Sequence, residues 1–136
     1  MKTYALDASA VLRYLYAEAG GDRIRTLLRD CQTGDCRVVI SAVHWGEVAY
    51  ILARREGADA VLPVLSQLIS LGIEVLPATA ERAVKAGFLK ASMKIPYVDA
   101  FGIELAADSA DHVLVTADFD VKPAANLINI EFLPVK

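Results

Sequence analysis

Short, strongly apolar runs alternate along this chain with stretches of helix length, and that alternation constrains the fold more than any other feature. Thr3 to Leu6, Arg37 to Ile40, Ile73 to Leu76, Val113 to Val115 and Ile130 to Leu133 are too short for helices, and several are rich in β-branched residues. Between them stand helix signals. Ser9 reads as the N-cap of a helix to about Ala17, and Gly20-Gly21 opens a second carrying Ile24, Leu27 and Leu28 that stops near Gly34. Ser41 caps a third to about Glu56, with Gly57 as its stop, and Asp59 opens an apolar helix ending at Gly72. Thr79 starts another to about Met93, and Pro96 sits at the entry of one running to about Ser109. Strands of this kind, separated by helices, are buried on both faces. The class is α/β, with a central, mostly parallel sheet of about five strands covered by helices on both sides.

Length and charge narrow the rest. A chain of 136 residues suits one domain, expected to span 1–136, with a single core. Charged residues are only 23%, which excludes disorder. Asp and Glu (17) outnumber Lys and Arg (14), so no polybasic tail reaches for nucleic acid. A mean hydropathy of +0.39 points to apolar surface kept for a partner, or to an unusually rich core. The opening MKTYALDASAVLRYLYAE does not read as a signal peptide, because Asp7 and Arg13 interrupt its apolar stretch. The uncharged run from Ala60 to Ile73, about fourteen residues with Pro63 and Gln67 inside it, is too short to span a membrane. Cys31 and Cys36 lack metal-site spacing and read as reduced thiols of a cytoplasmic protein.

Open parallel sheets bind ligands beyond the carboxyl ends of their strands, and acids gather there. Asp7 follows the first strand, Glu47 lies on the second turn of the helix after the second, and Asp118 and Asp120 follow the fourth. Asp99 sits just inside the helix that leads into the fourth strand. Each has an innocent reading: a turn residue for Asp7, a loop former for Asp118 or Asp120, a macrodipole partner for Asp99. Glu47 resists one, since Val43, His44, Tyr50 and Ile51 surround it at helical spacing and offer no Lys or Arg. Carboxylates converging on one crevice repel one another, and a divalent cation relieves that repulsion. Oxygen-only ligands favour Mg²⁺ or Mn²⁺ over Zn²⁺, and such an ion suits phosphodiester cleavage.

The set Asp7-Ala8-Ser9, Ser41-x5-Glu47, Tyr97-Val98-Asp99-Ala100 and Thr116-Ala117-Asp118-x-Asp120 resembles the PIN-domain nucleases. Within them it is most similar to the VapC-type ribonuclease toxins of toxin–antitoxin pairs, in order and over nearly the whole chain. The resemblance implies a three-layer α/β/α fold, dependence on Mg²⁺ or Mn²⁺, and endonucleolytic cleavage of RNA. It also implies a cognate VapB-like antitoxin that covers the site, and commonly a toxin homodimer. Position by position, Asp7, Glu47, Asp99 and Asp118 match the family's acidic metal-binding and catalytic residues. Ser9 and Thr116 match its supporting hydroxyls, and Asp120 is an outer-shell or second-metal acid. After Asp120 the chain reads VKP, where relatives often place an aromatic residue.

Other residues take blander readings. His44, one turn before Glu47, is placed to touch the site, although a packing or helix-start role is favoured, and His112 reads as a surface residue ahead of the fourth strand. Trp45 and Tyr50 read as core or partner-facing. Arg23, Arg25 and Arg29, and again Lys85, Lys90 and Lys94, form basic stripes that fit solvated helix faces and RNA tracks equally well. Three rivals fail on specifics. A phosphoaspartyl phosphatase wants a second aspartate at position 9, which is Ser, and a receiver domain wants an acceptor Asp where Ser41 and Pro77 stand. No glycine-rich phosphate loop follows any strand. A non-catalytic PIN-like binding module remains the alternative, but its signature is loss of an acid, and all four are present.

Overall fold

The computed structural model describes residues 1–134. Its strands are β1 (Lys2–Leu6), β2 (Cys36–Ser41), β3 (Ile73–Leu76), β4 (His112–Thr116) and β5 (Asn129–Phe132). They form one sheet in the order β3-β2-β1-β4-β5, and every pair is parallel. The helices are α1 (Ala8–Leu15), α2 (Gly21–Gln32), α3 (Ala42–Glu56), α4 (Val61–Ser70), α5 (Ala80–Ser92) and α6 (Tyr97–Ala106).

Strand periodicity explains the layers. Successive side chains point to opposite faces, so Leu6, Val38, Ile40 and Val115 join one core with Val11, Ile24, Leu27, Val48, Leu52 and Leu68 of α1 to α4. Their neighbours Ala5, Val39 and Leu114 join a second core with Ala86 of α5 and Ala100, Phe101, Ile103 and Leu105 of α6. The result is a three-layer α/β/α fold. From β1 the chain first builds outward through β2 and β3, then crosses back to place β4 on the other side of β1. That reversal opens a crevice at the carboxyl ends of β1 and β4.

Local chemistry sets most boundaries. Ser41 Oγ accepts from Val43 N at 3.2 Å to start α3, and Gly57 ends it at φ 95°. Thr79 Oγ1 accepts from Arg82 N at 3.2 Å to start α5. Three expectations need correction. Asp7, not Ser9, caps α1, because a carboxylate directly after β1 reaches Ala10 N at 3.0 Å. The residues near Asp59 form a 3-10 turn, Ala58–Ala60, so the apolar helix begins at Val61. Helix α6 stops at Ala106. A 3-10 segment, Phe119–Asn126, follows β4, where Pro123 lacks the N–H that a regular α-helix would use.

The blander residues also move. His112 is a half-buried member of β4, its Nδ1 donating to the Leu105 carbonyl at 2.9 Å. Trp45 packs against the first core, while Tyr50 is exposed beside Arg54. The first basic stripe is not free: Arg23 grips Glu131 through two bonds of 2.7 and 3.1 Å, and Arg25 lies 3.8 Å from Asp22. In the second, Lys85 lies 3.6 Å from Glu81.

One ion pair ties α5 to α6. Arg82 donates to the buried Glu104 through Nη1 and to Asp108 Oδ2 at 3.1 Å through Nη2. Burial raises the Glu104 carboxyl above the usual range, against the pull of Arg82. Arg82→Met leaves that carboxylate unpaired, and urea melts at pH 7 should show a loss of about 2–4 kcal/mol. The deficit should shrink as pH falls, since protonated Glu104 no longer needs the guanidinium. A loss under about 0.5 kcal/mol, the range of an ordinary surface substitution, would remove Arg82 as an anchor.

Candidate metal centre

The crevice is built on Asp7. As the residue after β1 it is held at the sheet's carboxyl edge, and it is buried. Its Oδ1 accepts from Ser9 Oγ at 2.6 Å and Ala10 N at 3.0 Å, and its Oδ2 accepts from Thr116 Oγ1. Each hydroxyl accepts in turn from the segment after β4: Ala117 N donates to Ser9 Oγ and Asp118 N to Thr116 Oγ1, both at 2.9 Å. Two hydroxyl bridges therefore stitch the end of β1 to the loop that carries Asp118. Burial pushes the Asp7 carboxyl above the usual range, while the Ser9 and Thr116 hydrogen bonds and the nearby His44 oppose that rise.

Asp118 accepts from Asp120 N at 2.9 Å and so caps the 3-10 segment, which turns Asp120 back toward it. Asp99 enters from the first turn of α6, whose N-terminal dipole favours an anion. Among the described residues, carboxylate oxygens of Asp99, Asp118 and Asp120 lie within 4.8 Å of one another. Asp7, Ser9, Glu47, Asp99 and Asp118 share a cavity of about 150 Å³ with His44, walled by Ala8, Leu12 and Ile51. Asp120 stands at its exposed edge, and Thr116 lies buried beneath Asp7.

Burial, then Asp118 and Asp7, raise the Asp99 carboxyl to about 6; His44 opposes this and Glu47 adds to it. The buried Asp99 Oδ2 has no hydrogen-bond partner among the described residues. Among the described residues, no Lys or Arg lines the cavity. An all-oxygen donor set with an unpartnered buried oxygen and no resident counter-charge fits a hard divalent cation such as Mg²⁺ or Mn²⁺.

Comparisons with known proteins bear on the family and the fold. A family model described as the PIN domain matches residues 4–127. The chain belongs to the PIN-domain family. This PIN domain superposes on the DNA-bound VapBC structure from Salmonella typhimurium with a TM-score of 0.73 at 20% identity, covering 97% of this chain and 98% of that one. VapBC2 from Rickettsia felis, bound to a DNA fragment from its promoter, gives 0.72 at 19% identity, covering 97% and 99%. VapC20 from Mycobacterium tuberculosis, a toxin that cleaves the sarcin-ricin loop, gives 0.66 at 22% identity, covering 96% and 99%. At these identities the likeness is one of fold. A search of curated proteins finds no match.

His44 is the cavity residue that sequence reasoning set aside as packing. Its position three before Glu47 on a helix was the available clue, since residues at that spacing share a face.

Two outcomes follow from the PIN-domain site. An acid whose folded pKa is raised is deprotonated first in the unfolded chain, so metal-free stability falls as pH climbs between the two values. For Asp99 that window runs from about 4 up to about 6. Thermal melts of Asp99→Asn without metal should show a weaker fall across it, lessened rather than abolished because Asp7 and Glu104 act in the same direction. At pH 7 the variant should melt at or above wild type; a lower melting temperature with an unchanged slope would contradict the repulsion. Thr116→Val keeps shape but strands Asp7 Oδ2 and Asp118 N, and denaturant melts should register a loss of about 1–3 kcal/mol. Wild-type stability in that variant would show the bridge to be unimportant.

Proposed function

We propose that this PIN domain is a Mg²⁺- or Mn²⁺-dependent endoribonuclease and the toxin of a toxin–antitoxin pair. The observation that carries the reading is the Asp99–Asp118–Asp120 oxygen cluster, with Asp99 Oδ2 unpartnered, at the mouth of an acid-lined cavity. Asp99, Asp118 and Asp120 would hold the ion, with Asp7 and Glu47 completing the acidic wall. What a divalent cation supplies there is neutralising charge, a lowered pKa for water and a Lewis-acid contact for a phosphate oxygen. Ser9 and Thr116 keep Asp7 fixed and aim the Asp118 loop. Glu47 accepts a proton from the attacking water at the cavity wall, and Ala8, Leu12 and Ile51 limit solvent on that side.

The partners follow from the surface. Leu62 on α4 is 75% exposed and Phe88 on α5 is 72% exposed, with Ile69 and Val84 beside them on the same helices. Such apolar surface suits a VapB-like antitoxin and a second copy of this chain. The first two structures above are VapBC complexes bound to DNA. An antitoxin Arg or Lys reaching the acid cluster would replace the ion's charge. No helix among the described residues is long and apolar enough to cross a membrane, in keeping with a cytoplasmic protein.

Purified chain incubated with total RNA and Mg²⁺ or Mn²⁺ should give discrete cuts, mapped by end sequencing, that EDTA abolishes. Asp118→Asn keeps the acceptor for Asp120 N yet removes a charge, and cleavage should fall more than about 100-fold. Cuts that persist in EDTA, or an Asp118→Asn variant as active as wild type, would overturn the metal mechanism; no cuts with either metal would leave the non-catalytic PIN-like module as the better reading.

A further inference from the structure

Glu47 is a partly exposed acid of the site. It is on a long side chain, 36% exposed, and among the described residues no Lys or Arg lines the cavity beside it. Its hydrogen-bond partner is His44, whose Nδ1 lies 3.3 Å from Glu47 Oε1 one helical turn away. An ionised carboxylate only accepts, so the ring hydrogen on that side belongs to Nδ1.

The ring itself is immobilised. His44 is 1% exposed, and it sits where α6 presents a glycine. A methyl group at Gly102 would lie 3.1 Å from Leu114 Cδ1, a tight approach, and 3.4 Å from His44 Nε2, an ordinary contact, so α6 packs its backbone closely over the imidazole. Nε2 is buried with no partner among the described residues. An unpaired buried nitrogen is unfavourable, and an apolar residue of similar volume would fill this place better. Packing alone therefore does not account for a histidine here, whereas the Nδ1 contact with Glu47 does.

We infer that His44 is a positioning residue that holds the Glu47 carboxylate inside the cavity, leaving Oε2 free for the cation or its water. This inference rests on the metal-centre reading above. Without the Nδ1 donor, Glu47 regains its rotamer freedom and spends its time in solvent.

Calorimetric titration of Mn²⁺ into the metal-free full chain tests it without depending on an RNA target. His44→Leu should weaken Mn²⁺ binding about tenfold, while its metal-free melting temperature holds or rises. In a Glu47→Gln background the same substitution should have no further effect, because the residue it positions is already altered. His44→Asn, whose amide nitrogen lies close to the place of Nδ1, should restore most of the affinity; His44→Gln, whose amide lies nearer the place of Nε2, should not. Unchanged affinity in His44→Leu, or an equal loss in the Glu47→Gln background, would overturn the inference. If the leucine variant does not fold, equal affinity in the Asn and Gln variants overturns it instead. Failure of the wild-type chain to bind Mn²⁺ would remove the metal centre and this role with it; wild-type binding that ignores His44 would remove this role alone.

Discussion

The paired hydroxyl bridges under Asp7 are the constraint on which the rest of the site depends. β1 and β4 are neighbours in register, Leu6 opposite Val115, so the residues that follow them emerge side by side. Ser9 and Thr116 then each donate to the Asp7 carboxylate and accept a backbone N–H from residues 117 and 118. A buried carboxylate is tolerable only when such donors replace water. The same bonds orient the Asp118 backbone, and Asp118 in turn caps the segment that brings Asp120 round. Remove the bridges and three acids lose their common frame.

Charge is arranged with equal economy. Three arginines are engaged away from the crevice: Arg23 with Glu131, Arg37 with Glu74, and Arg82 with Glu104 and Asp108. Among the described residues no Lys or Arg stands beside the cavity's acids, and the α6 N-terminus and His44 ease the ionisation of Asp99. Neither is enough to return its carboxyl to the ordinary range. A cluster that resists losing its protons in the absence of a cation is one that gains most from binding a cation.

That stress is distributed over a rigid scaffold. Asp99 and Glu104 share α6, so the Arg82 pair that fastens this helix to α5 also fixes the direction from which Asp99 enters. Gly102 lies between them on the same helix and accommodates His44 from α3. Packing of α3 against α6 thus brings an acid from the second crossover and an acid from the third into one cavity.

Much of this was legible in the residue order. Apolar runs too short for helices dictate strands, Ser41 and Thr79 mark helix starts because their hydroxyls satisfy free N–H groups, and acids after strands fall at the carboxyl edge of a parallel sheet. These are local rules, and local patterns suffice to apply them. Three readings turned on partners distant in sequence or on competition between neighbours. Ser9 resembled a cap until Asp7 was seen to hold that place and Ser9 to bridge toward residue 117. Arg23 resembled a free cation until β5 brought Glu131 to it. His44 resembled packing until the fold closed α6 over it and left one nitrogen facing Glu47. Residue order determines which groups stand at the crevice, because strand and helix periods are short-range; only the tertiary fold decides which oxygens are satisfied and which are left for an ion, because hydrogen bonds and desolvation depend on what packs above them.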